Sequence, residues 1–280
     1  IEKLNALAAS GVRTIVDPTV IGLGRYIPRV ARIAAEVPDL NIIVATGCYT
    51  YGDVPFFFHY RGPALNEALG MEVPDPMVDM FVGDITDGIA DTGVRAGMLK
   101  CAIDHHGLTP GVERVMRAVA KAHRQTGTPI TVHTHPGDHT GLLVQQVMVQ
   151  DEGVDPSRIV LGQSGDSSDA EHLSALADAG FVLGMDRFGI NLETTFEARA
   201  DIVVELCARG YAGQMVLAHD AACYIDWIDP NVLAFLPQWN YQHIGDEVLP
   251  YLREKGVTEE QITTMLVDNP RRIFENTSTY

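Results

Sequence analysis

The sequence predicts an α/β chain, most simply one (β/α) barrel domain spanning the 280 residues. Three observations lead there. Short apolar, β-branched runs alternate with amphipathic stretches along the whole chain. The runs are near-continuously apolar, as strands buried on both faces of a parallel sheet must be. The residues that end them, Asp17, Thr46, Lys100, His133, Gln163, Met185 and Asp220, mostly recur at the roughly 30-residue repeat of a βα unit. A doubly wound sheet is the alternative architecture for the same pattern. No GxGxxG follows any strand, which counts against its dinucleotide-binding form.

Residues 1–10 read as a helix leading into a strand at 13–16. Further strands are expected at 41–46, 97–100, 130–134, 159–162, 181–185 and 215–219. Between them, 25–36 places Ile27, Val30, Ile33 and Ala34 on one helical face. The stretch 110–125 does the same with Val115, Ala118, Val119 and Ala122, and Pro110 suits a helix entry. Helices at 170–179, 196–209 and 244–255 follow the same periodicity. The stretch from Thr46 to Lys100 is too long for one βα unit and is expected to hold an inserted loop, rich in aromatics (Tyr49, Tyr51, Phe56, Phe57, Phe58, Tyr60) and prolines.

Composition excludes several classes. Hydrophobic residues at 46% against 20% charged residues fit a globular chain and not a disordered one. With 20 Lys+Arg against 37 Asp+Glu the net charge is −17, which repels nucleic-acid phosphates. The one tight basic cluster, Arg271 and Arg272, is flanked by Asp268 and Glu275. No apolar run approaches the roughly 20 residues that span a bilayer. The start, Ile1-Glu2-Lys3-Leu4, has no signal-peptide pattern. It lacks Met and opens inside a helix, so an incomplete start is expected. Cys48, Cys101, Cys207 and Cys223 are scattered, as free thiols of a cytoplasmic protein would be.

Barrel enzymes carry their chemistry at the C-terminal ends of strands. Lys100, His133 and Asp220 end three different strands and would converge on one mouth. His and Asp suit a divalent metal. An ammonium has no lone pair, but a desolvated Lys can lose its proton. It could then act as a base, form a Schiff base, or take up carbon dioxide as a carbamate. Taken singly, a strand-end His is more often structural, and a strand-end Asp often caps the next helix. Spacing alone leaves both readings open.

Longer motifs narrow the choice. Met98-Leu99-Lys100-Cys101, His133-Thr134-His135, Gly162-Gln163-Ser164-Gly165-Asp166, Gly184-Met185-Asp186-Arg187-Phe188-Gly189, Ala218-His219-Asp220 and the stretch 265–274 together resemble the phosphotriesterase family of the amidohydrolase superfamily. The similarity is closest to the phosphotriesterase-like lactonases. The resemblance implies a TIM (β/α)8 barrel with two divalent metals, zinc or cobalt, iron or manganese, at its mouth. It implies a carboxylated Lys100 bridging them, His133 on one metal, and Asp220 on the other, accepting a proton from a bridging hydroxide. Tyr49 and Tyr51 resemble tyrosines that line the lactone site, Arg187 a residue between site and loop, and Trp227 a residue of the mobile loop. The implied activity is hydrolysis of lactones such as acyl-homoserine lactones, with promiscuous attack on organophosphate triesters. A homodimer acting on a small lactone or ester is implied too.

Two departures bear on activity. The family's first strand, with its His-x-His ligands, has no counterpart in this sequence. The sixth strand of the family ends in a metal-binding His where this chain has Gln163, a neutral amide oxygen and a poorer zinc ligand. His135, His105 and His219 are the possible substitutes. Reduced activity is therefore expected. The alternative is a catalytically impaired ligand-binding barrel of the same family, and a Schiff-base enzyme using Lys100 is a remote third.

Overall fold

The structure is a computed structural model that describes residues 1–70, 73–192, 194–225, 228–276 and 278–279. Helices and strands run in the order α1 (Glu2–Ala9), β1 (Thr14–Asp17), α2 (Ile27–Glu36), β2 (Asn41–Gly47), α3 (Phe56–Arg61), α4 (Pro63–Leu69), α5 (Pro76–Thr86), β3 (Met98–Ala102), α6 (Pro110–Thr126), β4 (Ile130–His133), α7 (Gly141–Val144), β5 (Ile159–Gly162), α8 (Ala170–Asp178), β6 (Val182–Met185), α9 (Phe196–Ala208), β7 (Met215–Leu217), α10 (Pro230–Leu233), α11 (Leu249–Glu254), α12 (Glu259–Thr263) and α13 (Asn269–Glu275). All strand pairs are parallel, in the sheet order β1 to β7. The sheet curls as a TIM-type barrel does, with β1 and β7 at its edges among the described residues.

Local sequence explains the elements. Helix α6 starts where the Thr109 side chain accepts the Val112 N–H, Pro110 fills the first turn, and Gly127 ends it in the left-handed region. Its apolar stripe, Val112, Val115, Met116 and Val119, packs on the sheet. Thr195 caps α9 and a capping box at Thr258 opens α12.

Alternation along the strands sorts the residues into two faces. Leu99, Cys101, Ile130, Val132, Ile159 and Leu161 join helix residues in the largest core cluster, outside the curl. Each fully buried Leu there contributes on the order of 1.5–3 kcal/mol of transfer free energy. Met98, Val160 and Val182 belong to the inner face, where they meet Ile273 and Phe274 of α13. That helix thus fills the inside near the N-terminal ends of the strands. Lys100 is two residues beyond Met98 and so shares the inner face, farther toward the mouth.

The expected strands are all present, with shifted ends. Strand β3 continues two residues past Lys100, because Ala102 still pairs with His133. Lys100 therefore stands inside the sheet and not at its end. Strand β4 stops at His133, and β7 stops at Leu217, short of His219. The expected inserted loop is largely helical. Helices α3 and α4 precede α5, which packs on α6 as the helix of that βα unit.

Candidate active site at the strand ends

Backbone strain marks the mouth. Five non-glycine described residues have positive φ, and three of them follow consecutive strands: Gln163 (+64°) after β5, Arg187 (+60°) after β6 and Asp220 (+52°) after β7. Such conformations cost on the order of 1 kcal/mol or more each and cluster at functional sites. Gly47 shows the same crowding from the other side. Its φ is +139°, and a Cβ there would lie 1.8 Å from the Lys100 carbonyl oxygen. Only glycine lets β2 pass that close.

Lys100 is 7% exposed. Burial lowers its pKa, opposed by the nearby Asp220 and Asp186 carboxylates. Asp186 sits over two glycines, 3.4 Å from a Cβ built on Gly162 and 3.3 Å from one on Gly184. A methyl group at either position would come into close contact with its carboxylate. Burial pushes the Asp186 pKa up to about 7, and the Asp220 charge adds to the rise. Its oxygens accept the Gln163 N–H. The Gln163 side chain is buried too, and its Oε1 has no hydrogen-bond donor among the described residues.

His133 is 4% exposed. Its Nε2 contacts Asp104 Oδ2, and its Nδ1 lies 3.2 Å from the Tyr49 hydroxyl. Tyr49 in turn bonds Tyr51 at 2.6 Å. Burial lowers the His133 pKa and the Asp104 bond raises it, with a net lowering. Burial alone would raise Asp104, but the bonds from His133 and His105 hold it far below the usual carboxylate range. His105 Nδ1 meets the other Asp104 oxygen at 2.5 Å.

Across the mouth, Arg187 donates to Asp166 at 2.8 Å, and its Nε lies 3.7 Å from Asp220. Asp166 also accepts from buried Arg199 at 2.6 Å. Asp220 is 42% exposed through its side chain, and its carbonyl accepts the Trp239 indole N–H. Arg187 and Asp220 border a cavity of about 300 Å³ whose apolar wall includes Ile190, Ile228, Leu236 and Trp239.

The expected site residues Tyr49, Tyr51, Lys100, His133, Arg187 and Asp220 thus come together at the mouth. Tyr49, Tyr51 and His133 are joined by hydrogen bonds, Arg187 lies near Asp220, and the Arg187 charge reaches Lys100, His133 and both tyrosines. Arg187 pairs with Asp166, not with its neighbour Asp186. Trp227 lies outside the described residues. Among the possible substitute ligands, His135 points to Asp138 at 3.0 Å, His105 is engaged by Asp104, and His219 Nδ1 accepts the Ala221 N–H. Burial lowers the His219 pKa to about 4. Sequence reasoning missed Asp104, Asp166 and Trp239. Asp104 had one available signal: it lies one β-repeat beyond Ala102, on the Lys100 face.

The residues fit a divalent metal in part. His133 resembles a metal-binding imidazole in having one nitrogen on a carboxylate, while the other meets the Tyr49 hydroxyl. Lys100 is desolvated enough to be a carbamate precursor, and Gln163 Oε1 is a buried oxygen donor without a partner. Among the described residues, no three His, Cys, Asp or Glu side chains gather around one point. A site here would rest on Lys100, His133 and Gln163, with Asp220 facing it.

A curled parallel sheet with ionisable residues at its C-terminal rim defines an α/β-barrel hydrolase architecture. The chain belongs to the phosphotriesterase family, whose model matches residues 1–274. It is 56% identical over 281 residues to a phosphotriesterase homology protein of Mycobacterium tuberculosis, covering all of this chain and 84% of that one. An aryldialkylphosphatase of Saccharolobus solfataricus is 37% identical over 267 residues, covering 94% and 81%. The solved structure of the M. tuberculosis phosphotriesterase superposes with a TM-score of 0.95 at 56% identity, covering 100% of this chain and 85% of that one. The chain is thus a member of a hydrolase family. No described helix is long and apolar enough to cross a membrane.

Proposed function

We propose that this protein is a metal-dependent hydrolase of lactones such as acyl-homoserine lactones, with side activity on organophosphate triesters. The observation that carries this reading is buried Lys100, between His133 and the Asp186–Asp220 carboxylates. A desolvated amine there suits carboxylation by carbon dioxide with release of a proton, and the carbamate would help to hold divalent ions, zinc or a neighbour of zinc. When bound, such ions polarise a carbonyl or phosphoryl oxygen and lower the pKa of an attacking water. Lys100, His133, Gln163 and Asp220 would hold them.

The chain's own groups supply the rest. Asp220 is exposed enough to take a proton from the attacking water and return it to the leaving oxygen. Arg187, anchored by Asp166, stands beside the Asp220 carboxylate and helps to position it. The Tyr49 and Tyr51 side chains would line the lactone site, and the apolar cavity wall suits an acyl chain. The reading includes a cytoplasmic homodimer.

Gln163 lowers the expected rate, because an amide oxygen binds zinc less well than imidazole. Metal analysis and lactone turnover of the Gln163 protein and its Gln163→His variant test this. Fewer than two metals per chain and slow turnover are expected, both rising in the variant. Two metals and no gain on substitution would refute the impairment. A second reading, a ligand-binding barrel without turnover, is favoured by Gln163 standing where the family has a metal-binding His. It predicts no hydrolysis in either protein.

A further inference from the structure

His133 is held from two sides by groups of opposite hydrogen-bonding sense. Asp104 meets Nε2 and Tyr49 meets Nδ1. An ionised carboxylate only accepts, so Nε2 must carry the proton. Nδ1 of the neutral ring must then accept, and the Tyr49 hydroxyl must donate to it. Tyr49 oxygen is left to accept from the Tyr51 hydroxyl, 2.6 Å away. One direction of donation therefore runs from Tyr51 through Tyr49 and His133 to Asp104. Asp104 itself is fixed by three donors: His133, the His105 ring and the His105 backbone N–H at 2.7 Å. It leaves the sheet just past Ala102, whose pairing with His133 sets the two side chains together.

We propose that Asp104 is a positioning residue, which locks His133 in the Nε2–H form and so presents the Nδ1 lone pair to the mouth for a divalent cation. This rests on the reading above that His133 is a metal ligand. Tyr49 plays the contrary part, since its hydroxyl contacts the same nitrogen the cation would need. The two residues thus act on cation affinity with opposite signs, which a merely structural role for both would not produce.

The test combines nitrogen NMR of protein labelled at histidine with zinc affinity measured against a chelator. The zinc-free wild type is expected to show His133 with a protonated Nε2 and an unprotonated Nδ1. Asp104→Asn should lose this preference and bind zinc about 10- to 100-fold more weakly, the usual cost of removing such an outer carboxylate. Tyr49→Phe should keep the preference and bind zinc as tightly as wild type or tighter. A proton on Nδ1 in the wild type overturns the proposal, as does an Asp104→Asn protein with unchanged ring state and affinity. If wild type binds no zinc at all while His133 is Nε2-protonated and Asp104→Asn shifts it, the orienting role stands and the metal reading falls.

Discussion

Both carboxylate oxygens of Asp186 accept the backbone N–H of Gln163, at 3.0 and 2.9 Å. The bond holds Gln163 in its left-handed conformation and ties the end of β5 to the end of β6. In Asp186→Ala that N–H loses its partner. The expected cost is about 1–3 kcal/mol, the penalty of an unsatisfied buried donor, read by urea denaturation. Asp186→Asn retains one acceptor and should lose less. An alanine variant as stable as wild type would show that the bond does not hold the turn.

Asp166 sits between two guanidiniums, and one of them, Arg199, is 1% exposed. Asp166→Ala leaves that charge buried without its counter-ion. A loss of about 3–5 kcal/mol is expected, most of it from Arg199 because Arg187 is better solvated. Arg199→Met added to Asp166→Ala should recover part of the loss. Additive losses in the double variant would contradict the coupling.

Lys100 is a buried amine with the Asp186 and Asp220 carboxylates close by. Lys100→Met keeps the length and removes the desolvation penalty, so stability should stay level or rise while lactone turnover disappears. Wild-type protein supplied with ¹³C-bicarbonate and zinc should show a carbamate carbon signal that the variant lacks. Retained turnover in Lys100→Met would remove the lysine from the chemistry.

His123 supplies a pH dependence unconnected with the mouth. It has no exposed surface, and its Nδ1–H donates to the Thr128 carbonyl at 2.7 Å. Burial lowers its pKa below 6.5. The unfolded chain therefore takes up a proton first as pH falls through about 6.5, and stability drops below that point by up to about 1.4 kcal/mol per pH unit. His123→Gln should flatten that slope between pH 6.5 and 5 in denaturant titrations. An unchanged slope would assign the pH dependence to other groups.

The barrel was legible because strand burial on two faces leaves long apolar runs, and because the strand ends mostly recur at the spacing of a βα unit. Strand ends were less legible. Ala102 is apolar whether or not it pairs, so only the partner strand reveals that β3 outlasts Lys100. The aromatic stretch after Thr46 carries Phe56 and Phe57 side by side, a pattern that hides the short helix α3. Asp104 and Asp166 were harder to read as site members for a different reason, although Asp104 shares the Lys100 face. Their importance lies in which distant side chain each one meets, His133 for one and Arg199 for the other, and local sequence does not encode such meetings.

Phe274 packs in one cluster with Val16, Ala45 and Met98, while its neighbour Ile273 packs with Val160 and Val182. The inner surface of the earliest strands is thus completed by a helix translated long after them. At about 5–20 residues per second of synthesis, β1 waits on the order of ten seconds or more for that partner. During this interval the nascent sheet shows its inner apolar layer and an unpaired strand edge to its surroundings and to chaperones. The barrel is therefore a high-contact-order fold whose vulnerability is one of timing: synthesis rate and chaperone supply will govern its yield.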